Sequence, residues 1–224
     1  MTTAQLVLAL EHRPALGIED FLVASCNAEA VASIDRWPAW PAPALVLHGP
    51  PGSGKTHLAH VWRGRSDAVA FDPARPDHGA AHGAVLVDDA DRLADEEALL
   101  HLYNLVASGG GSLLITAATP PARWPLRLAD LRSRLVAAPT VAILPPDDAL
   151  LGAVLAKQFR DRQLSVADDV IGYVVPRMER SFAAARALAA ALDRAALARR
   201  RSITVPLARS VLEAGERSSG APEV

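Results

Sequence analysis

The chain has 224 residues, half of them hydrophobic, a formal net charge of −2 and a pI of about 6.4. That is enough for one sizeable core, or for a larger domain and a small one, and the charge excludes the global basic field behind non-specific nucleic-acid binding. A single cysteine, Cys26, an N-terminus unlike a signal peptide and no apolar run near the roughly 20 residues of a membrane helix point to a soluble, cytoplasmic protein with no membrane partner.

The first patterned stretch is QLVLAL, Gln5 to Leu10. It reads either as an edge strand with period-2 leucines or as an extended peptide. In the second case Leu8 and Leu10 enter apolar pockets on a partner and Gln5 makes polar contacts. Leu45 to His48 is then a short apolar run suited to a buried parallel strand. It breaks into GPPGSGKT, Gly49 to Thr56, which fits the pattern G-x-x-x-x-G-K-[ST].

Between a strand and a helix, that loop is a phosphate cradle. Gly49, Pro50, Pro51, Gly52, Ser53 and Gly54 supply the backbone, Lys55 reaches the terminal phosphates, and the Thr56 hydroxyl ligates Mg²⁺. Lys55 and Lys157 are the only lysines among 23 basic residues, so Lys55 is an unlikely filler. A dinucleotide-type G-x-G-x-x-G from Gly52 fails, because His57 stands at its third glycine. His78 and His82 have i, i+4 spacing but lie in a Gly/Ala/Pro-rich stretch without a third ligand, which reads as a loop pair and not a metal site.

Ala84 to Asp88 is a second strand, and VLVDD ends on two acids. Asp88 is placed to hold Mg²⁺ through water and Asp89 to orient an attacking water; alone, the pair could equally cap the next helix. DEEALLHLYNLVASGG follows as a helix with Leu99, Leu102, Tyr103 and Val106 on one face, acids in its first turn and Gly109 to end it. Ser112 to Ala117 and Thr140 to Leu144 complete the strands, and strands alternating with helices imply an α/β layer fold. After Pro145-Pro146 the pattern turns helical to about Glu213, with Arg199 to Arg201 as the cationic end of a helix, and the last ten residues read as a disordered tail.

With the P-loop, VLVDDAD, LLITAATPP and DLRSRL in that order, the sequence resembles the AAA+ ATPases and, within them, the DnaA initiator family. GKTHLAH and DFLVASCN are similar to that family too, and the likeness covers about residues 18 to 213. Nothing after the helical lid looks like the DNA-binding helix-turn-helix domain of DnaA, which makes the chain similar to the Hda-type regulators.

The resemblance implies an AAA+ P-loop αβα parallel-sheet domain over residues 18–145 and a C-terminal helical lid over 146–214, between a clamp-binding peptide and linker at 1–17 and a tail at 215–224. It implies ATP or ADP with Mg²⁺ on Gly49 to Thr56 and Asp88, sensor 1 at Thr116 or Thr119, and Arg134 as an arginine finger, although spacing alone makes Arg134 a surface ion-pair residue. Gln5, Leu6, Leu8 and Leu10 become a peptide for the DNA sliding clamp, with DnaA as the second partner, DNA reached through the clamp and a homodimer left open. One position departs from the pattern: Ala183 stands where such lids carry a sensor 2 arginine, flanked by Arg180 and Arg186. Weak hydrolysis of its own nucleotide follows. The function implied is stimulation of hydrolysis of DnaA-bound ATP, which restrains initiation. The alternative is an independent P-loop ATPase or loader; a small-molecule kinase fits the acid pair and helical C-terminus less well.

Overall fold

The computed structural model describes residues 22–75, 83–199 and 201–219. The chain divides into two units, residues 1–144 and 145–224.

In the first unit, α1 (Ala28–Asp35) precedes β1 (Ala44–His48), α2 (Lys55–Ser66), β2 (Val69–Ala70), β3 (Ala84–Val87), α3 (Glu96–Gly109), β4 (Ser112–Ala117), α4 (Ala129–Ala137) and β5 (Thr140–Ala142). All strands pair in parallel, in the order β2-β3-β4-β1-β5. Alternate residues face opposite sides, so a strand covered on both faces must be apolar throughout. Val46, Val85, Val87, Leu113 and Ile115 pack with α3 and α4, while Leu45, Leu47, Leu86 and Leu114 pack with α1 and α2. The sheet is therefore the middle of three layers, the αβα arrangement expected from the sequence.

Two details differ from expectation. β2 is only two residues long and leaves too little pattern to read. α3 runs through Gly109 and ends at Gly110, the residue whose φ of 72° suits glycine at a helix C-cap.

The second unit contains α5 (Asp148–Asp161), α6 (Asp168–Val174), α7 (Phe182–Arg199) and α8 (Val205–Ser219) around a core that includes Leu151, Leu155, Phe159, Leu188 and Leu192. Its helices start as their sequences dictate: Asp147 accepts the Leu150 N–H at 2.8 Å, and Ser181 accepts the Ala184 N–H at 3.0 Å. α8 continues to Ser219, through the first part of the tail expected from residue 215, because a helix that is already nucleated adds one backbone hydrogen bond for each further residue it fixes. Among the described residues no helix is long and apolar enough to cross a membrane.

Candidate nucleotide site

Parallel strands leave their carboxyl ends on one edge of the sheet, where α/β folds place ligands. β1 aligns Leu47 with Thr116 and His48 with Ala117; β3 aligns Val87 with Ile115. One register therefore brings three segments together: the loop after β1, the acids after β3 and the end of β4. The Gly49 N–H donates to the Ala117 carbonyl at 3.2 Å, which anchors the start of the loop.

The loop requires its glycines. Gly52 has φ 71° and Gly54 φ 98°, and a Cβ on Gly49 would lie 2.2 Å from the Ile143 carbonyl oxygen. Gly54 is also the N-cap of α2 and lends no side chain, so the first N–H groups of a twelve-residue helix are left for a ligand. Ser53 is 1% exposed and its hydroxyl has no hydrogen-bond partner within the protein. Lys55 is 6% exposed; its ammonium donates to the Gly49 carbonyl at 2.7 Å and the Pro50 carbonyl at 3.0 Å. Burial pushes its pKa down, and Asp89, Asp91 and Asp88 oppose that shift. A closely fitted loop with an orphaned hydroxyl, an open helix N-terminus and a buried cation suits a polyphosphate.

The acids are held by Thr116, which is fully buried. Its hydroxyl donates to Asp88 Oδ1 and accepts the Asp89 N–H at 2.9 Å. The second bond fixes the left-handed Asp89, φ 51°, that turns the chain off β3. The Thr56 hydroxyl donates to Asp88 Oδ1 at 3.3 Å. Oxygen donors from one carboxylate and one hydroxyl suit Mg²⁺, which takes few protein ligands and completes its shell with phosphate and water. Among the described residues there is no cluster of three His, Cys, Asp or Glu side chains that could hold a metal. The Asp89 carboxylate lies 3.9 Å from Arg92.

Two contributors escaped the sequence reading. Asp91 accepts the Ala118 N–H at 2.9 Å and so ties the β3 turn to the end of β4. His48 ends β1 beside the loop, and burial, then Arg123 and Lys55, lower its pKa, which favours the neutral imidazole. Thr119, the other sensor candidate, contributes its carbonyl to Trp124 Nε1 at 2.8 Å.

Arg134 is on α4, away from these groups in the chain order. Its Nε–H donates to Asp130 at 3.0 Å, and its guanidinium stands over the Tyr103 ring at 5.7 Å. In the second unit, Ala183 is exposed near the start of α7, Arg180 pairs with Asp148 at 2.6 Å, and Arg186 is exposed one turn later. His78, His82 and Arg200 lie outside the described residues, as do Gln5, Leu6, Leu8 and Leu10.

Residues 148–212 match the family model for the lid domain of Hda. Domain III of the replication initiation protein DnaA from Thermotoga maritima superposes with a TM-score of 0.73 at 17% identity, over 86% of this chain and 93% of that one. AMPPCP-bound DnaA from Aquifex aeolicus gives a TM-score of 0.64 at 16% identity, over 75% of this chain and 62% of that one. A RuvB mutant from Thermotoga maritima gives 0.70 at 15% identity, over 90% and 72%. The chain therefore shares its fold with domain III of DnaA and with RuvB, and its residues 148–212 are similar to the lid domain of Hda.

Proposed function

We propose that this protein is a cytoplasmic regulator that binds ATP or ADP with Mg²⁺, docks on the DNA sliding clamp and promotes hydrolysis of ATP held by DnaA. The observation that carries the reading is the Hda-type lid on a DnaA-like fold whose phosphate loop is formed and charged. Lys55 holds terminal phosphate, the loop amides and Ser53 hold the rest, and Thr56 with Asp88 holds Mg²⁺. When bound, the metal neutralises phosphate charge. Asp89 orients water, and Thr116 keeps both acids in place.

The arginine finger acts on a neighbour. A planar guanidinium suits charge spread over a transferred phosphoryl group, and Arg134 presents one from an outer helix. The segment from Gln5 to Leu10 supplies the clamp contact, with each buried leucine contributing about 1.5–3 kcal/mol before ordering costs. That is modest, so stable recruitment needs DnaA as a second contact.

The test is a pull-down on DNA-loaded clamp with and without DnaA, combined with DnaA ATP turnover. Alanine at Gln5, Leu6, Leu8 and Leu10 is expected to remove clamp capture, and Arg134→Ala to retain capture but lose stimulation. Arg134→Lys should rescue little. Stimulation by Arg134→Ala equal to the parent's refutes the finger. The complete set of Lys55, Thr56, Asp88 and Asp89 also favours a second reading, an ATPase or loader that works on its own turnover; rapid hydrolysis without clamp or DnaA would establish it.

A further inference from the structure

α3 and α4 share one face of the sheet, and besides the aliphatic packing between them α3 reaches α4 through two polar contacts, one of them made by a tyrosine of the shared core. The first is at the start of α4. Leu128 is its N-cap and provides no side-chain acceptor. Glu96, the first residue of α3, fills that role from across the fold: its carboxylate accepts the Leu128 N–H at 2.8 Å and the Arg127 N–H at 3.0 Å. These bonds hold the carboxyl below the usual glutamate range. The second point is Tyr103, seven residues and about two turns further along the same face of α3. Its ring lies 5.7 Å from the guanidinium of Arg134, in the last turn of α4.

The local pair between Arg134 and Asp130 does not explain this placement. It is an exposed i, i+4 contact, of a kind worth little, and it joins Arg134 to its own helix only. Leu131 and Leu135 press α4 onto the sheet through the apolar core. Glu96 bonds to the helix where it begins, and the Tyr103 ring lies beside the guanidinium in its last turn.

We infer that Glu96 and Tyr103 are positioning residues that aim Arg134 at nucleotide held by a neighbouring molecule. The inference rests on the finger reading given above. An error of about 1 Å at a catalytic group can cost about 10²-fold in rate, so a small shift of α4 suffices. Neither residue belongs to the phosphate site of this chain.

The test uses the full-length protein, DNA-loaded clamp and ATP-loaded DnaA, and compares parent, Glu96→Ala, Glu96→Gln, Tyr103→Leu, Tyr103→Phe and Arg134→Ala. Glu96→Ala and Tyr103→Leu are expected to lower the maximal stimulated rate by about tenfold or more, within the span a misplaced group can cost, with an unchanged half-saturating concentration. Tyr103→Phe keeps the ring and should stay within about twofold of the parent, because the cation contact needs no hydroxyl. Glu96→Gln keeps one acceptor oxygen and should fall between parent and alanine; it also serves if the alanine variant does not fold. Amide exchange at Arg127 and Leu128 should quicken in both Glu96 variants. If Arg134→Ala abolishes stimulation while Glu96→Ala, or Glu96→Gln in its place, and Tyr103→Leu both match the parent, the positioning role is refuted and the finger stands. A change confined to half-saturating concentration refutes it too. If Arg134→Ala itself stimulates normally, the finger reading has failed first.

Discussion

Replacing Thr116 by Val removes one hydroxyl from a fully buried position at nearly constant volume. Two bonds go with it, the donation to Asp88 and the acceptance from the Asp89 N–H at 2.9 Å. Asp88 is exposed and water can replace its lost donor, so that bond should cost little. The Asp89 amide bond is part-buried, and an unpaired buried N–H costs about 1–3 kcal/mol. A net loss of about 2 kcal/mol follows, or about 4–8 °C in Tm at the 2–4 °C per kcal/mol of a domain near this size. Thr116→Ser keeps the hydroxyl and loses one methyl, for about 1 kcal/mol. Thermal melts of the three proteins measure the difference, and titration with Mg²⁺-ADP measures the site. Val is expected to weaken Mg²⁺-dependent binding as well, because both acids lose their anchor. Equal melting of parent and Val, or Ser as damaging as Val, would refute the argument that the hydroxyl, and not the packing, organises the acids.

Lys55→Ala should abolish or severely weaken nucleotide binding in calorimetry, since it removes the ammonium that the Gly49 and Pro50 carbonyls hold at the loop. Gly49→Ala forces a methyl to 2.2 Å from the Ile143 oxygen, and it should destabilise the first unit by about 1–3 kcal/mol or more in denaturant melts while lowering nucleotide affinity. His48 has a folded pKa below its unfolded value near 6.5, so the unfolded chain binds the extra proton first. Its contribution is whole above about pH 6.5 and is lost as pH falls through that value towards the folded pKa. Tm measured from pH 7.5 to 5 should therefore drop less steeply in His48→Gln than in the parent.

The strands were legible because burial on both faces favours apolar residues: ALVLH, AVLV and SLLITA are mostly apolar, with Thr116 a buried polar exception that finds hydrogen-bond partners. The phosphate loop was legible because its backbone geometry can be met by few residues other than glycine, and Gly52 and Gly54 show that directly. The stop of α3 was less so. Gly109, Gly110 and Gly111 are chemically identical letters, and only the path of the chain into β4 selects which one takes the left-handed conformation. The same limit left Thr116 and Thr119 equivalent on paper. The parallel register sets Thr116 beside the acids, whereas Thr119 falls past the end of β4, where its carbonyl serves Trp124.

Glu96 shows the deeper reason. In the sequence it is one of three acids opening a helix, and the helix dipole explains all three equally well. Its distinct role depends on the loop of Arg127 and Leu128, thirty-one and thirty-two positions later, arriving with two backbone N–H groups that their own helix leaves uncapped. No local pattern encodes such a pairing, because acceptor and donors are each ordinary where they stand. A side chain that caps a neighbouring helix links the placement of two elements without changing the propensity of either. Chemistry that depends on where one helix points, as the finger proposed on α4 would, therefore rests on residues that periodicity and motif pass over.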